Sequence, residues 1–146
     1  MSAASLLRAI AQSVQRTFGC SIVVEVLGDV PHELPEAEAI PIALTLNELM
    51  TNAIKHGQGG DVRCALHAQG DDICIRIASQ ASLPADFDLS ARRSGVAGLG
   101  LVRALLPRRS ATLTLSQQGA DVVAQIELRP PSVRWPQTDY QRQSSS

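Results

Sequence analysis

Residues 41–57 read PIALTLNELMTNAIKHG, and the spacing of that stretch is helical. At about 100° per residue, Ile42, Leu46, Leu49, Met50 and Ala53 share one arc, while Glu48, Asn52 and Lys55 fall together on the other side. A carboxylate, a carboxamide and an ammonium are thereby held on one narrow stripe. Such oxygen ligands suit a hard cation like Mg²⁺, and the ammonium suits phosphate. Lys55 is the only lysine of the chain, against twelve arginines. A helix face that served only to meet water would have little use for Asn at both 47 and 52, because Asn is a weak helix former in mid-helix.

Upstream, Leu7, Ile10, Val14 and Phe18 recur at helical spacing until Gly19 interrupts them. SIVVEVL (21–27) is rich in β-branched residues and predicts a strand. GDVPHELPEAEA (28–39) carries two prolines and predicts a loop leading into the helix. Downstream, DVRCALHA (61–68) and DICIRIAS (72–79) alternate apolar and polar residues around a turn at Gln69–Asp72, which predicts a hairpin. ATLTLSQ (111–117) and DVVAQIEL (121–128) form a second hairpin about Gln118 and Gly119. Between the hairpins lie an irregular glycine-rich segment and a further helix from Leu101. Helices with one apolar side, interleaved with hairpins, predict an α+β fold: a two-layer α/β sandwich whose mixed or antiparallel sheet is covered by helices on one face. From Pro130 the chain is polar and interrupted by proline. This divides it into a folded domain over 1–130 and a flexible or loosely docked C-terminal tail over 131–146.

A chain of 146 residues suits one domain with a real core. A formal charge of −1 and 3% aromatic residues argue against nucleic-acid binding, which needs a basic footprint or stacking platforms. Cys20, Cys64 and Cys74 are odd in number, lack metal-ligand spacing and lie in apolar, strand-like contexts, so they are expected to be reduced core thiols of a cytoplasmic protein. No apolar run approaches the roughly 20 residues that span a bilayer, so no direct membrane contact is expected.

NELMTNAIKHG (47–57) resembles the N box of the nucleotide-binding domain shared by sensor histidine kinases, anti-sigma-factor kinases, gyrases, Hsp90 chaperones and MutL proteins. The preceding AIPIALTL (39–46) looks most like the histidine kinase branch. SGVAGLGLVRALLP (94–107) is similar to that family's second glycine box, and the two motifs stand in the family's order. The resemblance implies the Bergerat, or GHKL, fold and binding of ATP with Mg²⁺. By position in the motif, Glu48 would contact a water near the metal and the γ-phosphate, and Asn52 would be the Mg²⁺ ligand. Lys55 is placed to meet phosphate, and His56 to donate a hydrogen bond to it. Gly98, Leu99, Gly100 and Leu101 would receive phosphate oxygens on backbone N–H groups at the start of a helix. Arg92 and Arg93 would sit on the lid over the nucleotide or form a solvated pair.

One departure stands out. The family's first glycine box follows the strand matching DICIRIAS and offers an Asp to the adenine amino group; here Ser79 stands in its place and Ala81 replaces the first glycine. Losing an ionised acceptor costs on the order of 1.5–3 kcal/mol. The expected function is therefore the ATP-binding catalytic domain of a two-component sensor histidine kinase. It would deliver the γ-phosphoryl to a histidine on a dimerisation domain absent from this chain, and meet a response regulator through the full-length kinase. Two alternatives stay open: a degenerate domain acting as a protein-interaction module, and an anti-sigma-factor serine kinase.

Overall fold

The computed structural model describes residues 1–57, 61–80 and 110–136. The Ser2 hydroxyl accepts from the Ser5 N–H at 3.4 Å to open α1 (Ala3–Phe18), and Gly19, at φ 67°, closes it in the left-handed conformation. There follow β1 (Ile22–Leu27), α2 (Glu36–His56), β2 (Val62–Gln69), β3 (Asp72–Gln80), β4 (Ala111–Gln118) and β5 (Asp121–Leu128).

The strands form one sheet in the order β1-β2-β3-β5-β4. β1 runs parallel to β2, with α2 as the crossover between them, and every other pair is antiparallel. The sheet is therefore mixed. Register aligns apolar residues into rows, such as Val24, Cys64, Ile77, Ala124 and Leu115 across all five strands. Against this face pack Leu7 of α1 and Ile42, Leu46 and Met50 of α2, all almost fully removed from water. Each such side chain contributes roughly 1.5–3 kcal/mol by burial. The opposite face carries Arg63 and Arg76, which bond Asp121 and Gln118 respectively. One-sided helical cover on a mixed sheet is the expected α+β architecture.

Three features differ from the sequence expectations. First, α2 begins at Glu36, so EAEA (36–39) is helical and not loop. The Pro35 carbonyl accepts from the N–H groups of both Glu38 and Ala39 at 2.9 Å, and Glu36 and Glu38 favour the positive end of the helix. Pro41, which supplies no N–H, is accommodated within the helix, and the Thr45 hydroxyl donates to its carbonyl at 2.8 Å. Second, Cys20 lies exposed in the link between α1 and β1, whereas Cys64 and Cys74 are buried; Phe18, the last of the α1 spacing, is exposed as well. Third, residues 130–136 are docked. Val133 is 0% exposed and belongs to the core cluster. Ser132 shares a hydrogen bond with Ser110, and Arg134 exchanges backbone bonds with Glu33. The Trp135 ring lies 4.3 Å from that of His32 and donates to Asp71 at 2.6 Å. Polar composition hid these contacts because their partners are remote in sequence. Residues 137–146 lie outside the described residues.

Val133→Ala is expected to destabilise the protein by ~2 kcal/mol and lower Tm by about 4–8 °C in a thermal melt. A second expectation concerns the thiols. Burial pushes Cys64 from its ordinary 9.0 up to about 12. Burial, with Glu127 nearby, also raises Cys74. The unfolded chain therefore loses these protons first as pH rises, and stability should fall between about pH 9 and pH 12. Denaturant titrations at graded pH would record that slope, which Cys64→Ala should flatten. A thiol reagent should label Cys20 alone in the native protein.

Candidate functional site

The apolar arc of α2 fixes its rotation, and that rotation places the stripe identified in the sequence. Glu48 and Asn52 lie one turn apart at the rim of the packed face. Asn52 is 8% exposed, far more buried than a solvated helix face would allow. Its Nδ2 donates to Glu48 Oε1 at 3.5 Å, the outer limit of a hydrogen bond. The carboxylate thus orients the carboxamide by its nitrogen, and the oxygen is the atom of Asn52 that a cation would take. Lys55 and His56 are exposed in the last turn, where positive charge also complements the helix dipole.

β3 supplies the facing wall. Ile73, Ile75, Ile77 and Ser79 alternate onto the covered side of the sheet, so Ser79 is directed toward the helical layer and is 4% exposed. It pairs with Val122 of β5 at the end of the strand away from the β2–β3 turn. Gly57, just beyond α2, lies beside that end of β3: a Cβ built on Gly57 would stand 3.6 Å from the carbonyl oxygen of Gln80 and 2.5 Å from that of Ala53. The structure therefore brings Glu48, Asn52, Lys55 and His56 together on one end of α2 and sets the end of β3 beside them. Gly98, Leu99, Gly100 and Leu101, with Ala81, Arg92 and Arg93, lie outside the described residues.

In the sequence Gly57 figured only as the last residue of the N-box match. His32, read simply as a loop residue, is fully buried and bonds the Gly70 carbonyl through Nε2 at 2.8 Å, at the opposite end of the sheet.

A family model of the histidine kinase-like ATPase domain matches residues 3–126. No curated protein matches the chain significantly. Among solved structures, the catalytic domain of histidine kinase ThkA in a nucleotide-free form is similar, with a TM-score of 0.73 at 14% identity over 88% of this chain and 92% of that one. ThkA in complex with response regulator protein TrrA gives 0.70 at 17% identity, over 88% of this chain and 40% of that one. The blue-light activated histidine kinase EL346 of Erythrobacter litoralis gives 0.68 at 19% identity, over 88% and 42%. At these identities the likeness is one of fold, and the chain spans less than half of the EL346 kinase.

Proposed function

Because the chain belongs to the histidine kinase-like ATPase domain family, we propose that it binds ATP with Mg²⁺ and serves as the catalytic domain of a two-component sensor histidine kinase. The observation that carries the proposal is the buried Asn52 held by Glu48 on α2, at the end of the helix where β3 presents Ser79. The donor set fits the metal. An amide oxygen and a carboxylate are hard ligands, and Mg²⁺ keeps waters and takes phosphate oxygens, so no large protein cage is needed. Among the described residues no group of three or more His, Cys, Asp or Glu is gathered for a metal. Bound there, Mg²⁺ supplies charge neutralisation to the phosphates.

The chain's own residues do the rest by positioning. Asn52 offers its oxygen to the cation, Glu48 accepts from a water beside the γ-phosphate, Lys55 meets phosphate as a point charge, and His56 donates to it. Gly98, Leu99, Gly100 and Leu101 complete the phosphate cradle in this proposal. The γ-phosphoryl leaves ATP, giving ADP, and joins a histidine nitrogen on a dimerisation domain that this chain does not contain. His32 cannot be that acceptor, since it is fully buried with Nε2 engaged by Gly70. A response regulator is the further partner, met through the full-length kinase; the ThkA complex with TrrA supports this class of partner. Cytoplasmic placement follows from ATP as substrate. No helix among the described residues is long and apolar enough to cross a membrane.

A second reading rests on one observation. Ser79 and Ala81 leave the base without its charged anchor, which favours a domain that has given up tight nucleotide binding and acts through protein contacts. Calorimetric titration separates the two. Weak ATP binding that requires Mg²⁺ is expected, together with an altered metal preference in Asn52→Asp. The absence of heat at millimolar nucleotide would support the interaction module instead.

Ser79→Asp combined with Ala81→Gly should tighten ATP at least several-fold, and leave GTP unchanged or weaker, because guanine presents a carbonyl where adenine presents its amino group. The new carboxylate is buried without a partner in the free protein, so the same variant should melt earlier than wild type and be rescued more strongly by ATP. Equal gains for both nucleotides would show that Ser79 does not face the base.

A further inference from the structure

We infer that Gly57 is a positioning residue of the nucleotide site, setting the gap between the α2 turn that carries Asn52 and the β3 end that carries Ser79; this rests on the nucleotide-binding proposal above. Its backbone, at φ −73° and ψ 161°, is ordinary for any residue, so conformational freedom does not account for a glycine here. Space does. A Cβ would stand 2.5 Å from the Ala53 carbonyl oxygen, a backbone atom that cannot swing aside as the tip of a side chain could. The same Cβ would lie 3.6 Å from the Gln80 carbonyl oxygen.

The two neighbours matter because of what they are bonded to. Ala53 follows Asn52 directly, and Gln80 follows Ser79. Any atom added at Gly57 must therefore push the last turn of α2, the departing chain, or both, relative to the strand end. A site that holds phosphates and metal from one wall and the base from another needs those walls fixed to within about 0.5 Å. A Cβ would meet the Gln80 oxygen at an ordinary contact distance, so it is the overlap with the Ala53 carbonyl that would shift the turn bearing Asn52 relative to the strand end bearing Ser79.

The test uses Gly57→Ala in the full chain, with Gly28→Ala as comparison. Gly28 has φ +74° and open space where a Cβ would go, so its substitution strains the backbone without touching the site. Gly57→Ala should weaken MgATP roughly ten- to hundredfold. Gly28→Ala should lower Tm and leave nucleotide affinity alone. Amide hydrogen exchange in Gly57→Ala should quicken at Ala53–His56 and at Ser79–Gln80, and not at Gly70–Asp72.

Unchanged MgATP affinity in Gly57→Ala, with wild type binding normally, overturns the inference and leaves the functional proposal standing. If wild type binds no MgATP, the functional proposal fails, and the exchange pattern decides only whether Gly57 fixes the spacing of α2 and β3: paired local quickening upholds that spacing role, and a uniform change or none overturns it. Should Gly57→Ala not fold, exchange in wild type under graded denaturant takes its place. A shared opening of Gly57 and Gln80 amides supports the inference, and independent openings refute it.

Discussion

The packing of α2 on the sheet governs both halves of this molecule. Ile42, Leu46, Leu49 and Met50 enter the core from one side of the helix, and because successive residues turn by about 100°, burying them leaves no freedom in where Glu48 and Asn52 point. The free energy that holds the helix down is thus the same free energy that aims its polar stripe. Asn52 sits where the two demands meet, nearly buried yet polar, and its bond to Glu48 meets part of the cost of placing an amide there.

The second wall is held by a different constraint. β3 is an interior strand, paired on one side to β2 and on the other to β5. A slip by one residue would turn Ile73, Ile75 and Ile77 out of the core, so the register that protects the core also determines that Ser79, and neither Ala78 nor Gln80, faces the helices. The orientation of Ser79 is therefore fixed by the strand. The surrounding frame is a fold shared at low identity with histidine kinase catalytic domains.

What could be read from the sequence follows the range of the forces involved. The hairpins and the buried arc of α2 were legible because alternation and helical spacing are local consequences of one buried face. The position of Glu48 and Asn52 beside that face follows from the same spacing. The start of α2 was not legible: Pro35 is ordinarily a sign of loop, yet its carbonyl accepts the first backbone bonds of the helix. Val133 and Trp135 were hidden in a polar stretch because their partners arrive from elsewhere; Trp135 and Asp71 are 64 positions apart. Cys20 shares the apolar neighbourhood of a strand yet falls two residues before β1 begins. The tight fit at Gly57 was not legible, because its reason is an interatomic distance and no pattern of residue types encodes one.

The small ladder at the far end of the sheet bears on how the protein is made. Residues 1–2 pair with one side of Glu33–Leu34, and Arg134 pairs with the other, while His32 beneath them is covered by Trp135. During synthesis α1, α2 and the first hairpin leave the ribosome well before this last contributor exists. At elongation rates of about 5–20 residues per second, the nascent chain spends seconds with His32 and the lower core uncovered. Closure of the domain is thus a late, long-range event, and until it occurs the half-built layer presents apolar surface that a chaperone would recognise.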